Sequence, residues 1–158
     1  MKATRRTFGS LALASLPLLA HDDEQEPPIS RTAMINGMAL PFAVAGYLMG
    51  ERALKNLDLT RCHADLDVAH HCPAASDLAM VIDGLQASTG ASLGKGNLRR
   101  VDSKDVFSVV RNRRTGKEVK FALLDGFVKK HAKLSPQDSY AAGLKVAGTS
   151  DAEVFRVL

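Results

Sequence analysis

Between Leu78 and Leu98 the sequence reads LAMVIDGLQASTGASLGKGNL, and this run narrows the choice of folds more than any other part of the chain. Its first half sets Leu78, Val81, Ile82 and Leu85 at i, i+3, i+4 and i+7, one apolar stripe of a helix. Its second half is a Gly/Ser/Thr/Lys turn in which Gly90, Gly94 and Gly96 permit positive φ and close backbone approach. A strand is expected from Leu98. A helix that empties into a three-glycine turn and then a strand is not a generic surface linker.

The other elements follow from the same kind of pattern. Leu40, Ala43, Val44 and Tyr47 have helical spacing, with Pro41 at the start, where its missing N–H costs little, and the helix should reach Leu57. Gly46 and Gly50 lie four apart, which either admits a second element in close contact or is ordinary tolerance of glycine. A short strand is expected over Leu66–His70 with Leu66 and Val68 inward, and Pro73 is expected to open the central helix that runs to Thr89. Strands are expected at Leu98–Val101, Val106–Asn112 and Glu118–Leu123, the last two joined by a turn at Thr115-Gly116. Ser135-Pro136 opens a helix to Val146, and Ser150-Asp151-Ala152-Glu153 reads as a capping box before a last short helix. The order α-β-α-β-β-β with a helical tail gives an α+β domain, helices laid on a mixed sheet.

The N-terminus reads as an address. Residues 1–20 carry Thr4-Arg5-Arg6-Thr7-Phe8 followed by a soft apolar run from Leu11 to Ala20, the layout of a twin-arginine export signal in a bacterial chain. That run is far short of the ~20 apolar residues that span a bilayer, so no stable membrane anchor is expected once the signal is removed. Residues 21–31 begin HDDEQEPP and read as an acidic, proline-bearing linker, leaving 32–158 as one domain in an exported, periplasmic protein. Setting aside Lys2, Arg5 and Arg6, 18 basic residues face 17 acidic ones. A body so nearly neutral has no electrostatic footprint for nucleic acid.

Ala69-His70-His71-Cys72-Pro73 is the densest cluster of reactive side chains. Two imidazoles and a thiol between a strand end and a helix N-terminus could hold Zn or Cu, or make a small thiol or redox enzyme of an activated Cys72 with His70 or His71 as its base. Adjacent strand residues point to opposite faces, however, so His70 and His71 meet at one ion only if the strand bends. The alternative is a core histidine with a structural cysteine. Cys62 and Cys72, the two cysteines, could pair in an oxidising compartment or stay free. The glycine turn is not a Walker A loop, because three residues instead of four separate Gly90 from Gly94-Lys95, and Gly96 follows the lysine. Asp83, Gln86, Lys95 and Asn97 could instead surround a cleft for a small anionic ligand, or cap turns and hold register.

Taken together, the block Asp83-Gly84-Leu85-Gln86-Ala87-Ser88-Thr89-Gly90-Ala91-Ser92-Leu93-Gly94-Lys95-Gly96-Asn97-Leu98 resembles the FmdE-like family of formylmethanofuran dehydrogenase components. Gly37, Pro41, Gly46-Tyr47, Met49-Gly50, Thr115-Gly116 and Asp151-Ala152-Glu153-Val154-Phe155 fit the same pattern. The resemblance implies an α-β-α-β-β-β arrangement similar to the catalytic domain of glyceraldehyde-phosphate dehydrogenases, a homodimer, and an accessory role in which chemistry resides in other chains of a complex. It also implies a metal or reactive-thiol site built from His-x-His-x-Cys-Pro and a further Cys. Here those positions are Asn36, Met38, Leu40 and Met80, and no Cys-x-x-Cys pair for a zinc-ribbon extension occurs. Without imidazole or thiolate the usual site cannot be assembled. Met38 and Met80, as thioethers, suit Cu(I) with His70 or His71 as a third donor, or they are apolar filler where ligands were lost.

Overall fold

The computed structural model describes residues 28–158. Two helices, α1 (Pro28–Asn36) and α2 (Pro41–Leu57), lead into β1 (Leu66–Cys72). A 3-10 turn (Asp77–Met80) runs into α3 (Val81–Thr89), and the glycine turn delivers the chain to β2 (Leu98–Asp102), β3 (Phe107–Asn112) and β4 (Glu118–Leu123). Three helices follow, α4 (Asp125–His131), α5 (Pro136–Val146) and α6 (Asp151–Val154), and β5 (Phe155–Val157) closes the order.

The sheet runs β2-β1-β3-β4-β5. β1 and β2 are parallel, as a crossover through α3 requires, and every other pair is antiparallel. One face is packed by α2 and α3: Leu66 and Val68 of β1 meet Val110, Phe121, Val81, Leu85 and Met49 in a single core. Each fully buried aliphatic side chain there contributes roughly 1.5–3 kcal/mol. The opposite face carries Asp67, Ala69, His71, Phe107, Val109, Arg111, Glu118 and Lys120, and no described helix covers it.

The α2–α3 contact sets this geometry. A methyl group on Gly84 would overlap the Ala43 carbonyl oxygen and the Tyr47 amide, and one on Gly46 would overlap the Val81 carbonyl. Gly50 likewise leaves room for the Ser88 hydroxyl. The partners advance together along both helices, so α2 and α3 run in the same direction, backbone against backbone. The choice left open for Gly46 and Gly50 thus falls to close approach. Ser88 and Thr89, buried in the same seam, return their hydroxyl protons to the Gly84 and Leu85 carbonyls of their own helix.

Several boundaries differ from the sequence reading. α1 begins at Pro28, inside the stretch assigned to the linker, and it buries Arg31 and Thr32. The central helix does not start at Pro73: Ser76 caps it, accepting from the Leu78 N–H at 3.2 Å, and four residues separate it from Cys72. Ser150 makes no side-chain cap, whereas Ser135 accepts from the Asp138 N–H and donates to its carboxylate at 2.7 Å. The helical tail ends in a strand that returns to β4, held by edge-to-face packing of Phe155 on Phe121.

Replacing Gly84 by Ala should lower stability by about 1–3 kcal/mol in urea unfolding, although alanine gains up to ~1 kcal/mol in helix propensity. Gly126→Ala, in α4 with open space around it, should instead stabilise by about 0.5–1 kcal/mol. Equal responses at the two positions would contradict the backbone contact.

Candidate functional site

Strand alternation disperses the reactive cluster. His70 faces the helices and is 1% exposed. Its Nε2 lies 3.0 Å from the Leu78 carbonyl oxygen and its Nδ1 2.9 Å from Ser108 Oγ. A carbonyl only accepts, so Nε2 carries the proton and Nδ1 accepts from the serine hydroxyl. Both nitrogens are engaged, and the ring pins the head of α3 to β1 and β3. Cys72 lies on the same inner face, fully buried, at the end of β1. Pro73 to Ser76 separate it along the chain from the 3-10 turn that leads into α3. His71 points the other way and stacks on Phe107, its cross-strand neighbour, with centroids 4.1 Å apart and planes at 11°.

His70, His71 and Cys72 therefore do not converge, and among the described residues no group of three His, Cys, Asp or Glu could hold a metal ion. Cys62 and Cys72 are both free thiols. Cys62 is exposed in a left-handed conformation beside Gly90, before β1 begins, and Cys72 ends that strand.

The positions at which the resemblance implied a metal site gather differently. Leu40 and Met80 are the residues immediately ahead of α2 and α3, at the same end of the parallel helix pair. Met80 is half-buried and packs against the core, while Met38 is 44% exposed. Asn36 donates its side-chain amide to the Met38 carbonyl at 2.8 Å. This donor set does not fit a zinc or iron site: a carboxamide already engaged, two thioethers and an alkyl chain offer no anionic or imidazole ligand.

Asp83 and Gln86 are half-buried on α3, and burial raises the Asp83 carboxyl above its ordinary pKa. Asn97 is buried, its Oδ1 accepting from the Ser92 N–H at 2.9 Å while its carbonyl accepts from Val68. Lys95 folds back to donate from Nζ to the Gly90 carbonyl at 2.8 Å. Both thus brace the glycine turn and fix where β2 joins β1. Two larger hollows lie elsewhere: one of about 840 Å³ among α4, α5 and α6, and one of about 650 Å³ beside β5.

Sequence reasoning passes over several polar groups that the fold buries, Arg31 and His131 among them. Arg31 reaches the Tyr47 hydroxyl, whose pKa burial raises. His131, at the end of α4, tilts over Phe127 with centroids 4.5 Å apart. The one available sign is the i, i+4 spacing of Phe127 and His131 in a segment with no helix signal strong enough to place it. The twin-arginine segment and residues 21–27 of the linker lie outside the described residues. No described helix is long and apolar enough to cross a membrane.

Burial pushes the His70 pKa down to about 4 from an ordinary 6.5. The unfolded chain then binds the extra proton first, so the stability from a neutral His70 is complete above pH 6.5. It declines between pH 6.5 and about 4, by about 3 kcal/mol in total, and is level below. Urea titrations across that window should show this decline in the parent and a flatter profile in His70→Gln.

A search of curated proteins gives no match. A family model described as "FmdE, Molybdenum formylmethanofuran dehydrogenase operon" matches residues 36–155, from the end of α1 to the first residue of β5. The chain belongs to the FmdE family.

Proposed function

We propose that this chain is an exported accessory domain of a larger enzyme assembly, one that binds a small ligand and carries no catalytic step of its own. Family membership is consistent with an accessory place in such an assembly. The observation that carries the reading is where the reactive groups went. His70 has both nitrogens bonded in the core, Cys72 is sealed beneath the helices, and His71 lies on the far face against Phe107. No nucleophile among them faces solvent beside a base, which acyl transfer or thiol chemistry would need. Metal binding by Met38 and Met80 with an imidazole has less support, since both His70 nitrogens are bonded and His71 lies on the sheet face away from the helices.

A second copy of the chain would sit on the uncovered sheet face. There the small or apolar Ala69, Val109 and Phe107 lie inside a rim of ion pairs, Asp67 with Arg99 at 2.7 Å and Glu118 with Arg111. An apolar centre with a charged rim is the layout of an interface.

Native mass spectrometry of protein exported by its own signal, followed by thiol labelling, tests these points together. The expected result is a dimer mass without stoichiometric metal, with Cys62 labelled promptly and Cys72 only on unfolding. Rapid labelling of Cys72 below pH 8, or one bound Zn or Cu per chain that Met80→Ala removes, would sink the reading. For the address, residues 1–27 fused to a reporter should direct it to the periplasm. Changing Arg5 and Arg6 together to Lys should abolish that transport.

A further inference from the structure

The hollow among α4, α5 and α6 has about 840 Å³ of space and shares no residue with the glycine turn or with the His70–Cys72 strand. That volume lies within the range of small-molecule sites. Its floor is apolar: Phe127, Leu134 and Val146, with Phe127 braced from below by edge-to-face contact with Phe42. Its polar groups are arranged unevenly. Lys130 and Lys145 line it from the last turns of α4 and α5 and make no ion pair among the described residues. His131 also lines it and is 8% exposed, yet its buried Nδ1 has no hydrogen-bond partner. A buried polar atom left unsatisfied costs about 1–3 kcal/mol, and such atoms are few in a native fold.

We propose that this groove binds an amphipathic carboxylate of the fatty-acid type, its chain lying along Phe127, Leu134 and Val146 and its carboxylate held by Lys130 and Lys145, with His131 beside it. The head group follows from the donors. Two ammonium groups supply N–H and accept nothing, and a neutral imidazole offers one further N–H, so the complementary partner is an oxygen acceptor with negative charge. Two carboxylates also line the groove, but Asp138 already accepts from the Ser135 hydroxyl, so the two ammonium groups and the imidazole outnumber Glu153. The tail follows from the lining: Phe127 and Val146 are already nearly covered, but Leu134, Ala141, Ala142 and Ala152 still present apolar surface that an inorganic anion would leave in water, and burying it against hydrocarbon is favourable.

Titration calorimetry of the full chain with dodecanoate below its micellar range tests this, with dodecylammonium as the control for charge and acetate as the control for the chain. The expected result is saturable one-site binding of dodecanoate, with at least tenfold weaker binding of dodecylammonium and none detectable for acetate. Lys130→Ala and Lys145→Ala should each weaken dodecanoate by about ten- to a hundredfold, the range for loss of a charge-assisted contact. Ala142→Trp, which fills the groove from α5, should abolish binding while the circular dichroism spectrum is retained. Amide shift changes in the parent should centre on α4 and α5. The proposal is overturned if dodecanoate fails to saturate, if dodecylammonium or acetate binds as well, or if the folded lysine and Ala142 variants bind like the parent.

Discussion

Backbone contact between α2 and α3 is the constraint from which the other distances follow. At Gly46 and Gly84 no side chain stands between the helices, so their spacing is set by main-chain atoms. Main-chain atoms cannot repack as a leucine can. With α3 fixed in this way, its two ends are secured by hydrogen bonds of different kinds. His70 holds the head through the Leu78 carbonyl, and Asn97 and Lys95 hold the turn beyond the tail. β2 then enters beside β1 with Val68 opposite Leu98, and the parallel pair on which the rest of the sheet grows is in register.

How much of this is legible depends on the length of each signal. The amphipathic stripe of α3, the Pro41 start of α2 and the alternation in β4 are long patterns, and the observed elements match them. Gly116 has the positive φ expected of the hairpin turn, and Asn112 adds side-chain bonds to the Arg114 and Thr115 amides. The short pieces are not legible. α4 is seven residues with Gly126 near its start, and β5 is three residues whose pairing depends on Phe121, far away in sequence. Pro73 misleads as a helix opener because proline at a first turn and proline after a strand read alike; the side-chain cap at Ser76 decides between them.

The candidate chemistry is legible as a set of residues and not as an arrangement. His70, His71 and Cys72 are consecutive, yet period-two alternation in a straight strand sends the first and third to the core and the second to the open face. What then separates a ligand from a packing residue is the set of neighbours. Ser108 and the Leu78 carbonyl come from elements 38 and 8 residues away from His70. No local spacing encodes that convergence. The same holds for His131, which becomes notable only once α4, α5 and α6 line one groove.

The same division between scaffold and side chains lets this chain fold with no imidazole or thiol at the starts of α2 and α3. The positions concerned, Leu40 and Met80, precede their helices and contribute at most a side chain to the space between helix starts. The contact that orients those helices lies further along, at Gly46, Gly84 and Gly50, and is made of backbone and small side chains. A metal at the helix starts would add to that contact without creating it. Methionine and leucine at these positions supply apolar volume, as the packing of Met80 against the core illustrates. Scaffold and site are separable here because different residues hold each, and the scaffold is then free to present other surfaces, the α4–α6 groove among them.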